Sequence, residues 1–127
     1  MSTENRIMTI PMKCAWIDHL LSINFMFGIE LRAKGIQVDA RESLREFLAD
    51  FDLSHYPVLL FHPGVKNQHR LLELRQNYPH TRVALITAVG SGADYKNLSK
   101  DISFLTYNAD LIESFIKETY DLMRTHT

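Results

Sequence analysis

The stretch YPVLLFHPG at residues 56–64 decides the fold class of this chain. Its apolar run shows no alternation between apolar and polar residues, and it ends abruptly in the residues FHPG. A strand without alternation is expected where helices cover both faces of a sheet, which is the usual environment of parallel strands. We therefore predict a buried strand over 56–61, with an exit at which chemistry could occur.

Strand and helix patterns alternate outward from this run. Apolar residues at intervals of three and four indicate helices, and short apolar or β-branched runs indicate strands. The predicted strands cover 6–10, 36–40, 56–61, 81–89 and 102–107, and the predicted helices cover 15–35, 42–51, 68–79, 93–101 and 109–126. The first helix has Trp16 and Ile17 in its apolar stripe and ends at Gly35.

Five strands, each followed by a helix, predict an α/β fold with three layers, α/β/α. The five-stranded parallel sheet is expected in the order 2-1-3-4-5, in which ligands bind where the carboxyl ends of strands one and three diverge. The predicted crevice is lined by Pro11, Met12, Lys13, Cys14, Phe61, His62 and Pro63, with Thr87 nearby at the end of strand four.

The composition narrows the class of protein. The 127 residues, 46% hydrophobic and 23% charged, predict one globular domain over 1–127. The formal charge of −1 creates no field that would attract phosphate backbones, so we expect no direct nucleic-acid binding. No apolar stretch approaches the roughly 20 residues that span a bilayer, so we expect a cytoplasmic protein without membrane contact. The single Cys14 excludes an internal disulfide and a multi-cysteine zinc site.

Several segments resemble the receiver domain of two-component response regulators. LLELRQNYPHTRVALITA at 71–88 is similar to the third helix and fourth strand of that family, including the Tyr-Pro break and the Thr-Ala that ends the strand. GIQVDARESLREFL at 35–48 and PVLLF at 57–61 match the receiver pattern in type and order. The resemblance extends from Gly35 to Met123 and includes strand one, and it implies a flavodoxin-like, CheY-like fold.

The resemblance also implies which groups phosphorylation would need. In receivers, an Asp ending strand three accepts the phosphoryl group and two acidic residues after strand one hold Mg²⁺. A hydroxyl after strand four and a Lys after strand five meet the phosphoryl oxygens. The corresponding residues here are Phe61 or His62 for the acceptor, Pro11, Met12 and Lys13 for the acidic pair, Thr87 for the hydroxyl and Tyr107 for the Lys.

Only Thr87 matches the receiver pattern. With no carboxylate to hold Mg²⁺, aspartyl phosphorylation would be lost. We therefore predict a degenerate receiver, or pseudo-receiver, with no catalytic residue, no metal and no cofactor.

Two side chains leave other chemistry open. His62 could accept a phosphoryl group or bind a metal, because imidazole titrates near neutral pH, or it is a polar residue at a loop mouth. Cys14, next to Lys13, could be a reactive thiolate of the phosphocysteine type. The segment CAWIDHLL, however, has bulky apolar residues in place of an amide-rich loop, which favours an inert thiol.

A candidate partner surface lies on the first predicted helix. Phe25, Met26 and Ile29 project opposite its buried stripe, unless Gly28 ends or kinks the helix and turns them inward. By resemblance, Phe104 matches an aromatic on strand five that reports the state of receivers to their outputs. We predict a signalling module that binds proteins or forms a homodimer, as the regulatory domain of a bacterial transcriptional regulator. The alternative is a small-molecule sensor with its ligand in the crevice of Met12, Cys14, Phe61, His62 and Thr87.

Overall fold

The computed structural model describes residues 12–19, 21–62, 70–87 and 103–125, and the side chains of these residues apart from 21–25, 87 and 125. The strands are β1 (Met12–Asp18), β2 (Ile36–Arg41), β3 (Val58–His62), β4 (Arg82–Thr87) and β5 (Ser103–Thr106). The α-helices are α1 (Leu21–Ala33), α2 (Leu44–Asp50), α3 (Arg70–Asn77) and α4 (Ala109–Thr125), and a 3-10 helix covers Leu53–His55.

The five strands form one parallel sheet in the order β2-β1-β3-β4-β5. The predicted fold class and strand order are therefore confirmed. The predicted helix over 93–101 lies outside the described residues.

The first strand was predicted in the wrong place. β1 contains Trp16 and Ile17, which the spacing had assigned to a helix, and α1 begins only at Leu21. β1 pairs with β2 on one side and β3 on the other, so it is an interior strand of the sheet with both faces covered. Such a strand has no alternation, and a short apolar run without alternation cannot be distinguished from a helix by periodicity. The predicted strand over 6–10 lies outside the described residues.

Alternate residues of the central strands pack against opposite helical layers. The cluster under α2 and α3 contains Ala15, Ile17, Leu59, Phe61, Val83 and Leu85 from the strands, with Phe47, Leu53, Tyr56, Leu71 and Leu74. The cluster under α1 and α4 contains Cys14, Trp16, Val58, Leu60, Ala84 and Ile86 from the central strands, with Leu31, Ile36, Val38, Ile112, Phe115 and Ile116. Even-numbered residues of β1 and β3 therefore face α1 and α4.

The helix boundaries have local causes. Gly35 has φ of +85°, a left-handed conformation that suits glycine after a helix end, as predicted. Ser43 caps α2 by accepting a hydrogen bond from the Glu46 N–H at 3.2 Å. α1 continues through Gly28 without a break. None of the helices in the described ranges is long and apolar enough to cross a membrane.

Candidate functional site

The predicted crevice residues of strand one lie at the wrong end of the sheet. Met12 and Lys13 begin β1, opposite the end that adjoins His62, so their predicted position is corrected. The backbone N–H of Lys13 donates to the hydroxyl of Tyr120 at 2.6 Å, which anchors α4 to this end of the strand. Pro11 lies outside the described residues.

Cys14 and Phe61 are also absent from the crevice. Cys14 lies inside β1 and is fully buried, and this burial raises the pKa of its thiol far above the ordinary range. Phe61 packs into the cluster under α2 and α3. The structure therefore favours the inert thiol over the reactive one.

The carboxyl end of β1 brings an unpredicted residue into the crevice. Asp18 is the last residue of β1 and is paired in register with His62, the last residue of β3. Both have even numbers, so both side chains are on the face of the sheet that α1 and α4 cover. Asp18 is fully buried, whereas the side chain of the adjacent His19 is 59% exposed. The premise that this edge has no carboxylate was wrong.

The Asp18 carboxylate is held by aromatic side chains. The Tyr107 hydroxyl donates to its Oδ2 at 2.5 Å, and the Trp16 indole N–H lies 3.5 Å from the same oxygen. The ring of Tyr107 lies 6.4 Å from Trp16 and 6.0 Å from Phe27 between centroids, so packing holds it in place. Tyr107 follows β5 directly, at the position where the receiver resemblance expects a Lys. A hydroxyl donor therefore contacts Asp18 there.

His62 is oriented by a strand on its other side. Its Nδ1 lies 2.7 Å from the carbonyl oxygen of Ile86 in β4. A carbonyl oxygen can only accept, so Nδ1 carries the proton and donates. In the neutral ring, Nε2 then carries the lone pair, which can bind a proton, a metal or an electrophile.

Asp18, His19 and His62 form one compact group, which we call the rim cluster. One ligand atom from each lies within 4.8 Å of the others. The two imidazole rings are 5.1 Å apart between centroids, and His19 Nδ1 lies 3.9 Å from Asp18 Oδ1. A carboxylate with two imidazoles can bind a cation or exchange protons.

Sequence reasoning found His62 in this cluster but missed Asp18 and His19. The signal was present, because the apolar run CAWI is followed directly by Asp and His. It was missed because Trp16 and Ile17 also fit the helical spacing that continues to Leu31.

The remaining predicted site residues fall at separate places. Thr87 ends β4 at the same edge of the sheet, but its side chain is outside the description. Met26 and Ile29 are 65% and 52% exposed on α1, and Phe104 is 43% exposed on β5. The backbone of Phe25 belongs to α1, but its side chain is not among those described. Because α1 is unbroken at Gly28, the alternative in which Met26 and Ile29 turn inward is wrong.

Neither a family model nor a curated protein matches this sequence. Solved structures do match it. A signal receiver domain from Vibrio parahaemolyticus superposes with a TM-score of 0.73 at 16% identity, covering 92% of this chain and 95% of that chain. The chain has the receiver fold. A response regulator receiver domain protein from Clostridium thermocellum matches with a TM-score of 0.71 at 18% identity, over 91% of this chain and 99% of the other. A response regulator from Thermotoga maritima has a TM-score of 0.69 at 15% identity, over 87% and 98%.

Receiver folds place their ligand edge at the carboxyl ends of the central strands. The rim cluster lies at this edge, since Asp18 and His62 are the last residues of β1 and β3. The candidate site is therefore the rim cluster together with Tyr107.

Proposed function

We propose that this chain is a receiver-like, non-catalytic and phosphorylation-independent signalling module that acts by binding proteins. The proposal rests on the identity of residue 62, which is a histidine. His62 ends β3, where the receiver resemblance expects the Asp that accepts the phosphoryl group. The sequence has no acidic residue from 57 to 69, so a neighbour on that segment cannot replace it.

Asp18 does not restore the acceptor. It belongs to β1, where the resemblance expects a metal-holding carboxylate, and its Oδ2 accepts the short hydrogen bond from Tyr107. Its side chain is fully buried, so an in-line attack on a phosphoryl donor has no open approach. This chain therefore lacks the carboxylate that would accept the phosphoryl group in a phosphorylation switch.

A phosphotransfer assay tests this proposal. The protein is incubated with acetyl phosphate and Mg²⁺ and its intact mass is recorded, with a receiver that has an acceptor Asp treated in parallel. We expect an adduct on the reference protein and none on this chain. An adduct of one phosphoryl group, whether abolished by His62→Gln or not, would contradict the proposal.

The partner surface is proposed on the exposed side of α1, around Met26 and Ile29. Large apolar side chains exposed to this degree on one helix face tend to be covered by another protein. Phe104 on β5 is another large apolar side chain that is exposed and that we assign to the partner surface. The occupant we propose is a regulatory protein partner or a second copy of the chain, in the setting of a bacterial transcriptional regulator.

Light scattering tests the second-copy case. We expect the wild type to be dimeric, and Met26→Glu or Ile29→Glu to give monomers because a charge would be buried at the contact. Leu72→Glu is the matched control, since Leu72 is 46% exposed on α3, away from α1. A monomeric wild type would exclude the homodimer and leave only a different protein as the occupant.

The alternative, a small-molecule sensor, depends on a crevice whose predicted lining residues do not lie together. Met12 lies at the other end of β1, while Cys14 and Phe61 are buried in opposite core clusters. His62 is the one predicted lining side chain that the structure describes at the crevice, beside Asp18 and His19. No contact among the described residues favours an organic ligand there.

A further inference from the structure

The rim cluster has a composition that the receiver resemblance does not imply. That resemblance implies carboxylates, which suit Mg²⁺ because this ion prefers oxygen ligands in octahedral geometry. Here the same edge presents one carboxylate and two imidazoles within 4.8 Å. Imidazole nitrogen suits zinc, copper, nickel and iron ions instead, and mixed nitrogen and oxygen sets select them over magnesium.

We propose that Asp18, His19 and His62 bind a divalent transition-metal ion, with Zn²⁺ as the fitting probe. Three protein ligands leave a fourth tetrahedral position for water or a group from a partner. One carboxylate and two imidazoles are a common donor set for this ion.

Two contacts orient the ligands as metal sites require. The Ile86 carbonyl accepts from Nδ1 of His62, which fixes the ring and directs the lone pair onto Nε2. The Tyr107 hydroxyl donates to Oδ2 of Asp18 and so fixes the carboxylate, whose Oδ1 lies 3.9 Å from Nδ1 of His19. Hydrogen bonds of this kind behind the ligands hold them in place and raise metal affinity.

The distances require only a small adjustment. Ligand atoms around a tetrahedral zinc ion are about 3.3 Å apart for bonds of about 2.0–2.1 Å. The three ligand atoms here are spread over at most 4.8 Å. His19 follows the end of β1 and its side chain is 59% exposed, so rotation of this side chain can close the difference. The same exposure provides a path for the ion.

The experiment is a titration of protein prepared without a polyhistidine tag and stripped with a chelator. Calorimetry with Zn²⁺ gives the stoichiometry, and the visible spectrum with Co²⁺ reports tetrahedral coordination. We expect one ion per chain. His62→Gln and His19→Gln should each raise the Kd at least tenfold, and Tyr107→Phe should raise it by about tenfold because it removes the support of Asp18.

The matched control is His55→Gln. His55 is 69% exposed on the 3-10 helix beside Asp52, outside the rim cluster, so its loss should leave the Kd unchanged. The His19→Gln variant should fold normally, because an exposed side chain can be replaced without disturbing the core. A loss of zinc affinity in this variant is therefore not caused by misfolding. Wild-type affinity in both cluster variants would overturn the proposal, as would a comparable loss of affinity in His55→Gln. Displacement of Co²⁺ by millimolar Mg²⁺ would also overturn it, because it would indicate an oxygen-ligand site.

This inference does not depend on the proposed function. Phosphorylation with acetyl phosphate would contradict the proposed function and leave zinc binding intact. Absence of zinc binding would leave the phosphorylation-independent module unaffected.

Discussion

The polar groups at the two ends of β1 have different roles. At the amino end, the Lys13 N–H donates to the Tyr120 hydroxyl at 2.6 Å, which ties a backbone group to α4. At the carboxyl end, Asp18 and the neighbouring His62 bring a carboxylate and an imidazole to one point, and His19 joins them. One end of the strand is thus held by a structural contact to α4, and the other end carries the rim cluster.

The difference follows from the parallel sheet. All five strands end at one edge, so residues distant in sequence converge there, as Asp18, His62 and Tyr107 do. A polar group at that edge can be placed for chemistry, whereas a polar group within a covered strand must be satisfied by the fold.

Cys14 should resist modification in the native state. It lies inside β1 and its pKa is raised by burial, so alkylation requires the strand to open. We expect maleimide labelling at neutral pH to be at least about 1000-fold slower than in urea-unfolded protein, given typical unfolding free energies. Mass spectrometry follows the adduct. Rapid labelling of the native protein would contradict the buried position of Cys14 inside β1, and with it the contrast between the two ends of the strand.

Ile17→Ala should destabilise the protein strongly. Ile17 is 1% exposed in the cluster under α2 and α3, so its truncation should lower the free energy of unfolding by about 2–5 kcal/mol. The matched control is Leu72→Ala, at a residue 46% exposed on α3 and outside the proposed partner surface, which should change it by about 0.5 kcal/mol or less. Urea denaturation measures both. Equal effects would contradict the assignment of residues 12–18 to a central strand.

Removing the hydroxyl of Tyr107 or of Tyr120 compares the two ends of β1 directly. Tyr107→Phe removes a hydrogen bond to the Asp18 carboxylate and should cost about 1.5–3 kcal/mol of unfolding free energy. Tyr120→Phe removes the acceptor for Lys13 N–H and should cost about 1 kcal/mol. Only Tyr107→Phe should also weaken zinc binding. If Tyr120→Phe weakened it equally, the two ends would not be functionally distinct.

The stability of the protein in acid should depend on Glu113 in α4. Hydrogen bonds from Lys117 and Lys34 lower the pKa of Glu113 below its usual 4.5. A carboxyl whose pKa is lowered by folding stabilises the fold above its unfolded pKa, and this contribution is lost as pH falls through the lowered value. We expect a small extra loss of stability below about pH 4.5 in the wild type, which Glu113→Gln removes. Thermal unfolding measured against pH checks this, and an unchanged acid limb in the variant would contradict it.

The sequence alone determined most of the fold from Gly35 onward. β2, α2, β3, α3, β4, β5 and α4 lie within a few residues of their predicted bounds. In α4 the residues Ile112, Phe115, Ile116 and Thr119 are buried, whereas Leu111, Leu122 and Met123 are exposed. Local periodicity and a positive φ at Gly35 are properties of neighbouring residues, so they can be read without the rest of the chain.

Only the tertiary structure decided β1 and the rim cluster. Residues 14–17 are apolar on both faces, and they become a strand because β2 and β3 pair with them on either side. That pairing moves Asp18 to the edge of the sheet, in register with His62 and within reach of Tyr107. Register between distant strands is a non-local property, so the residues that form the candidate site could be assembled only by the folded sheet.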